Sequence, residues 1–118
     1  MYLNKAMLMG NVGKEPDIRT ANGEKVANFS LATTFKGGEK ETTEWHNIVV
    51  WGKKAEVIEK YVSKGSSLYV EGTIRTRSWD DQQGVRRYTT EIVAHTIQLL
   101  GGKKQEAQEA QDDDLPEW

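Results

Sequence analysis

Residues 45–72, WHNIVVWGKKAEVIEKYVSKGSSLYVEG, change their hydrophobic period twice. The first part, WHNIVVW, alternates as a strand does. Trp45, Asn47, Val49 and Trp51 share one side, and His46, Ile48 and Val50 the other. Between Lys53 and Ser63 the spacing becomes helical, with Ala55, Val57, Ile58, Tyr61 and Val62 forming an apolar stripe that Lys64-Gly65 brings to a stop. Strand alternation resumes in LYVEGTIRTRSW, residues 68–79. A single helix therefore interrupts a run of strands.

Working outward, residues 3–9 read as a first strand, and GNVGKEP, ending at Pro16, as a turn. Asn22-Gly23, between Asp17–Thr20 and Lys25–Ala27, has the composition of a type I′ hairpin turn, which needs positive φ at both central residues. A second long strand follows to about Phe35. The polar segment KGGEKETTE, 36–44, reads as a loop, DDQQGVRR as a hairpin tip around Gly84, and RYTTEIVAHTIQLL as the last strand. The expected class is all-β with one helix: three strands, the helix, then two strands. That is the element order of a five-stranded oligonucleotide/oligosaccharide-binding (OB-fold) barrel. Barrels of this size bind sugars, proteins or nucleic acids, so the fold leaves function open.

The length of 118 residues fits one domain, and no apolar run approaches the roughly 18 residues that cross a bilayer. The N-terminal MYLNKAMLMG lacks the length and cleavage pattern of a secretory signal, so a cytoplasmic location is expected and the sequon Asn28-Phe29-Ser30 reads as strand. There is no cysteine, which excludes disulfides, thiolate zinc sites and cysteine nucleophiles together. The net charge of −2 conceals an asymmetry: residues 1–104 carry 16 basic and 12 acidic groups, hence +4, whereas residues 105–118 carry 6 acidic groups and no basic one, hence −6. The basic body and the acidic tail need separate explanations.

On residues 68–79, Leu68, Val70, Gly72, Ile74 and Thr76 form a core face. Tyr69, Glu71, Thr73, Arg75, Arg77 and Trp79 form the other. Burying unpaired arginines is costly, so the second face is expected to meet solvent or a ligand. In the opening run Ile48 and Val50 suit the interior, which puts Trp45 and Trp51 outside, although Val49 beside them leaves that face ambiguous. Strand tryptophans commonly belong to cores or subunit contacts. Three of them, each bordering an apolar strand beside polar or basic groups, favour stacking on nucleobases, a sequence-tolerant contact that selects single strands because a duplex hides its base faces. Lys5, Lys36, Lys53, Lys64, Arg75, Arg77, Arg86 and Arg87 are the candidates for phosphate contact, the arginines foremost because they share a strand or loop with Trp79.

The segments GNVGKEPDIR, VANFSLAT, TEWHNIVVWGKKAEVIEKYVSKGSSLYVEGTIRTRSW and RYTTEIVAHTIQLLGG closely resemble bacterial single-stranded DNA-binding protein across about residues 1–102. The resemblance implies a DNA-binding and oligomerisation domain at 1–102, a homotetramer, and single strands wrapped over several subunits. By motif position it places base stacking on Phe35, Trp45, Trp51 and Trp79, and it sets His46 near a subunit contact.

From Lys103 the composition changes to KKQEAQEAQ, a segment with no apolar face that is expected to be a short flexible linker over 103–111. The last seven residues, Asp112, Asp113, Asp114, Leu115, Pro116, Glu117 and Trp118, combine acid, exposed apolar groups and a terminal carboxylate, which suits a small basic pocket on a partner. By resemblance this disordered acidic tip recruits replication, recombination and repair proteins. The +4 and −6 split adds the expectation that the tail competes weakly with DNA for the basic body.

An enzyme is not expected. His46 and His95 are far apart in sequence without a nucleophile or metal-ligand motif, and GNVGK lacks the full spacing of a phosphate loop. No cofactor or metal is implied. The competing reading is an OB-fold module used only for protein interaction, as a primosome accessory would be, and such a module has no use for three exposed tryptophans.

Overall fold

A computed structural model of the chain describes residues 1–101. The expected linker at 103–111 and tip at 112–118 lie outside the described residues. The element order is β1 (Ala6–Val12), β2 (Asp17–Ala21), β3 (Glu24–Gly37), β4 (Lys40–Trp51), α1 (Lys53–Tyr61), β5 (Ser67–Asp80) and β6 (Arg86–Leu99). The strands bond in the order β1-β5-β6-β4-β3-β2, and an additional β1–β3 pairing closes the ring. Five strands make the barrel; β2 is a side arm on β3. Closure requires β1 to serve two neighbours, β5 along Ala6–Asn11 and β3 at Asn11 and Val12. It also requires a short parallel contact of β4 with β6, Ile48 beside Ile92 and Val49 beside Val93.

Val12, Ala27, Phe29, Leu31, Ile48, Val50, Leu68, Val70, Ile92 and Ala94 fill the barrel, and α1 closes one end with Ala55 and Ile58, followed by Val62 at its C-terminus. Val57 and Tyr61 of the expected stripe remain exposed, because a nine-residue helix over a barrel mouth buries only a narrow face. The expected helix and its position in the chain are borne out, and so is the Asn22-Gly23 turn, with φ of 54° and 80°.

Several details differ from expectation, beginning with the first strand, which runs Ala6–Val12 rather than over 3–9, so that residues 10–12, expected as turn, are strand. The arm β2 adds a sixth strand to the expected five. Residues 40–44 are strand rather than loop, with the turn confined to Gly38-Glu39. The polar composition of 36–44 misled because this part of the β3–β4 ribbon projects past the barrel and has no core to face. It is held by cross-strand pairs instead: Phe35 opposite Thr42, Lys36 opposite Glu41, and Thr34 Oγ1 bonded to Thr43 Oγ1 at 3.3 Å.

The β5–β6 pair projects in the same way. A register shift at Glu71/Gly72 marks where it leaves the barrel, and any Cβ at Gly72 would collide with the backbone carbonyl of Val93. Beyond this bulge the expected core face has no opposing wall, so Ile74 is exposed. The fold thus presents two long ribbons, β3–β4 and β5–β6, on a small closed core.

Candidate functional site

The four predicted stacking residues are all open to solvent: Phe35 is 71% exposed, Trp45 60%, Trp79 46% and Trp51 38%. Register fixes the faces. Leu31 lies opposite His46, Phe29 opposite Ile48 and Ala27 opposite Val50 on the core side, so Trp45 (opposite Ala32), Asn47 (opposite Ser30), Val49 (opposite Asn28) and Trp51 (opposite Val26) share the outer side. Val49 and Val26 are buried on that side, apart from the main core cluster, which resolves the ambiguity Val49 raised. Phe35 belongs to the alternate set, on the other side of its ribbon from Trp45. Its ring lies over Gly37, where an added Cβ would sit 2.7 Å from Cε2.

Trp45 is held by a specific neighbour. Its indole rests against Gly13, in the β1–β2 turn, so closely that a Cβ there would overlap Cζ3 and lie 3.0 Å from Cη2. The backbone N–H of Gly13 donates to the Ser30 carbonyl at 3.0 Å, which fixes the turn beside β3. Trp79 is anchored by its Nε1–H, which donates to Thr89 Oγ1 at 3.3 Å.

The four predicted arginines all prove to be paired. Arg75 Nη2 donates to Glu91 Oε2 at 2.9 Å and Arg77 Nε to Glu91 Oε1 at 3.3 Å. Glu91 is only 4% exposed, while both guanidinium side chains stay exposed. On the hairpin, Arg86 Nε donates to Asp80 at 3.2 Å and Arg87 Nε to Asp81 at 2.9 Å. Asp81 also accepts the backbone N–H groups of Gln83 and Val85, both at 2.9 Å. The Val85 bond first, then Arg87, holds its carboxyl below the usual carboxylate range.

Among the predicted lysines, Lys5 lies 3.5 Å from Glu71. Glu71 also accepts a short bond from the Tyr69 hydroxyl; this bond is the main reason its carboxyl sits below the ordinary range and the Tyr69 hydroxyl above its own. Lys36 is 3.9 Å from Glu41. Lys53, which opens α1 two residues after Trp51, has no acidic partner among the described residues, nor does the ammonium of Lys64. The Lys64 backbone N–H binds Glu15 Oε2 at 3.1 Å, placing it at the β1–β2 turn rather than near Trp79.

These pieces converge along the β4–β6 seam, where Asn47 Nδ2 donates to the Thr90 carbonyl at 3.4 Å. On one side a groove of about 340 Å³ mixes polar and apolar walls, with Lys14 and Arg77, the acids Glu15, Asp17 and Glu91, and Val49 among its lining. On the other a cleft of about 260 Å³ brings Trp45 and His46 beside Ile74 and Thr90. The structure therefore brings Trp45 beside Glu91, which holds Arg75 and Arg77, and Trp79 follows them on the same face of β5; Phe35 lies on the other side of its ribbon, and Lys5 and Lys64 stand apart. His46 is half-buried, with Nε2 2.9 Å from Thr33 Oγ1. Sequence reasoning missed Glu91, Gly13 and the exposed Tyr88, which faces Ser78 across the ribbon. Alternation around Arg87-Tyr88-Thr89 was the only signal for Tyr88. Among the described residues no group of three or more His, Asp or Glu could hold a metal ion, and no helix is long and apolar enough to cross a membrane.

Comparison with known proteins places this architecture. The model of the single-strand binding protein family matches residues 3–100. A curated relative from Chlorobaculum tepidum, single-stranded DNA-binding protein 1, is 50% identical over an alignment of 108 residues that covers 86% of this chain and 67% of the relative. Among solved structures, one described as a Plasmodium falciparum SSB complex with ssDNA aligns with a TM-score of 0.79 and 40% identity, covering 85% of this chain and 96% of the other. The match spans all six strands and the helix, including both ribbons and their aromatic residues, and on that ground the chain belongs to the single-strand binding protein family.

Proposed function

We propose that this protein binds single-stranded DNA without regard to sequence, stacking bases on Trp45, Trp51, Trp79 and Phe35. The observation that carries the reading is the exposure of all four rings on two ribbons beside basic groups, in a chain whose relatives are single-stranded DNA-binding proteins. An exposed aromatic ring gains roughly 1–3 kcal/mol per stacked base, and any base has a π-face to offer. Arg75, Arg77, Arg86, Arg87, Lys36 and Lys53 follow the phosphates, with Lys5 and Lys64 extending the path over the barrel ends. The protein acts by sequestering and protecting the strand, with no chemical step.

The same reading includes a homotetramer in the cytoplasm, at the nucleoid. Its support is β1: Met7 and Met9 are exposed, and residues 6–10 pair only with β5 among the described residues, leaving the other strand edge open to a second copy. His46 lies near such a contact. The tip at 112–118 recruits replication, recombination and repair proteins through its acids, Leu115, Pro116 and Trp118.

The test is a fluorescence titration of a Trp118→Phe protein with polythymidylate and with duplex DNA at two salt concentrations. Strong quenching by the single strand alone is expected. Equal response to duplex, or no quenching, rejects the proposal and favours a purely protein-binding module.

A further inference from the structure

A buried carboxylate normally needs one cation, and Glu91 has two. Arg75 lies directly opposite Glu91 across the β5–β6 pair and Arg77 is the diagonal neighbour on the same face. Glu91 gives one oxygen to each. Neutralising the buried acid takes a single arginine, so the cluster keeps one positive charge in excess. Each guanidinium contributes only one nitrogen to the carboxylate, Nη2 from Arg75 and Nε from Arg77, and no other protein partner engages either arginine among the described residues. Most of their N–H donors point elsewhere, while both side chains remain exposed. The row continues along β5 to Trp79, and Arg77 and Glu91 line the groove that reaches Lys14 and Asn47.

We propose that Glu91 is a positioning residue for DNA binding: from beneath the surface it holds Arg75 and Arg77 side by side, against their mutual repulsion, as a preset pair of phosphate clamps next to Trp79. This rests on the single-stranded DNA reading above. Free arginine side chains lose rotamer freedom when they engage a phosphate, whereas guanidinium groups already ordered by a carboxylate lose little. An acid that merely cancelled positive charge would act in the opposite direction. The sign of the effect therefore separates the two roles.

The experiment measures binding of the full-length chain to a thymidine oligonucleotide across a salt series, for the unaltered protein, Glu91→Gln, Glu91→Asp, and Glu56→Gln as a charge-matched change on the helix. Glu91→Gln removes a negative charge from beneath the arginines, raising the net charge by one, yet is expected to weaken low-salt binding by about tenfold, the worth of one charge-assisted hydrogen bond. It is also expected to flatten the salt slope by about 0.7 for each phosphate that the arginines no longer neutralise. Glu91→Asp, keeping the charge at shorter reach, is expected to fall between, and it carries the test if Glu91→Gln does not fold. Glu56→Gln leaves the slope unchanged or slightly tightens binding. Binding by Glu91→Gln or, failing that, Glu91→Asp equal to or tighter than the unaltered protein, with an equal or steeper slope, overturns the positioning role while leaving DNA binding intact. Failure of the unaltered protein to bind removes both proposals.

Discussion

Gly13 illustrates how a proposed stacking residue depends on a neighbour with no side chain of its own. Trp45 is 60% exposed, yet one edge of its indole is fixed by contact with a turn that has no side chain at that point. Replacing Gly13 with alanine puts a methyl group into the ring's position. Either the turn or the indole must move, and the indole has the open side. Gly13→Ala is therefore expected to cost roughly 1–3 kcal/mol of binding, the worth of one stacked base, with little change in melting temperature. Unchanged oligonucleotide affinity together with an unshifted Trp45 emission would show that the contact does not set the ring. Residues of this kind are hard to read from sequence. Trp79 announces itself by alternation beside Arg75 and Arg77, whereas Trp45 and Trp51 are placed outward by Ile48 and Val50 against the contrary signal of Val49, which the structure buries on their side. Gly13 looks like an ordinary turn glycine, and its importance follows from the seating of the β1–β2 turn against β3. Glu91 is harder still, since which β6 residue meets Arg75 is set by the pairing that runs unbroken from the hairpin tip, Asp80 opposite Arg86, and no local feature of TTEIV fixes that register.

At the scale of elements, the segments that pack on the core were legible and those that leave it were less so. Period 2 in WHNIVVW and LYV, helical spacing after Lys53 and Asn22-Gly23 all reflect burial or turn geometry, and each predicted the observed element. The outer ribbons lack a buried face, so polarity suggested loop at residues 40–44 where hydrogen bonding makes strand. The β5–β6 ribbon is closed by its own device: Asp81 accepts two backbone N–H groups of the tip and the Arg87 guanidinium. These bonds favour the ionised carboxyl, so its value in the folded chain is depressed relative to the unfolded one. The stabilisation is accordingly complete above the ordinary carboxylate range and disappears as pH falls through the depressed folded value. Amide exchange at Gln83 and Val85, corrected for its intrinsic pH dependence, is expected to accelerate on acidification below that range while the barrel amides stay protected. Asp81→Asn should show the loosened tip already at neutral pH. Tip protection that is indifferent to both changes would mean that the carboxylate does not order the hairpin.

For the whole molecule the decisive quantity is the division of charge. Residues 1–104 carry +4 and residues 105–118 carry −6, so the net −2 describes neither part. Within the body most of the predicted phosphate-binding groups already have an acid beside them: Lys5 has Glu71, Lys36 Glu41, Arg86 Asp80 and Arg87 Asp81, while Arg75 and Arg77 share Glu91 and keep one charge in excess. The surface offered to DNA is thus mildly rather than strongly basic, and stacking has to supply much of the affinity. A mildly basic face is also one from which a −6 segment on the same chain can displace weak electrostatic contacts. Tethering makes that competition intramolecular, and screening weakens it over a Debye length of roughly 10 Å at 0.1 M salt. Deleting residues 105–118 is therefore expected to raise affinity for a short oligonucleotide several-fold at low salt, with the gain vanishing as salt increases, because exposed charges are screened and stacked rings are not. Identical affinities for the full and shortened chains throughout the salt series would show that the acidic segment does not reach the DNA-binding face.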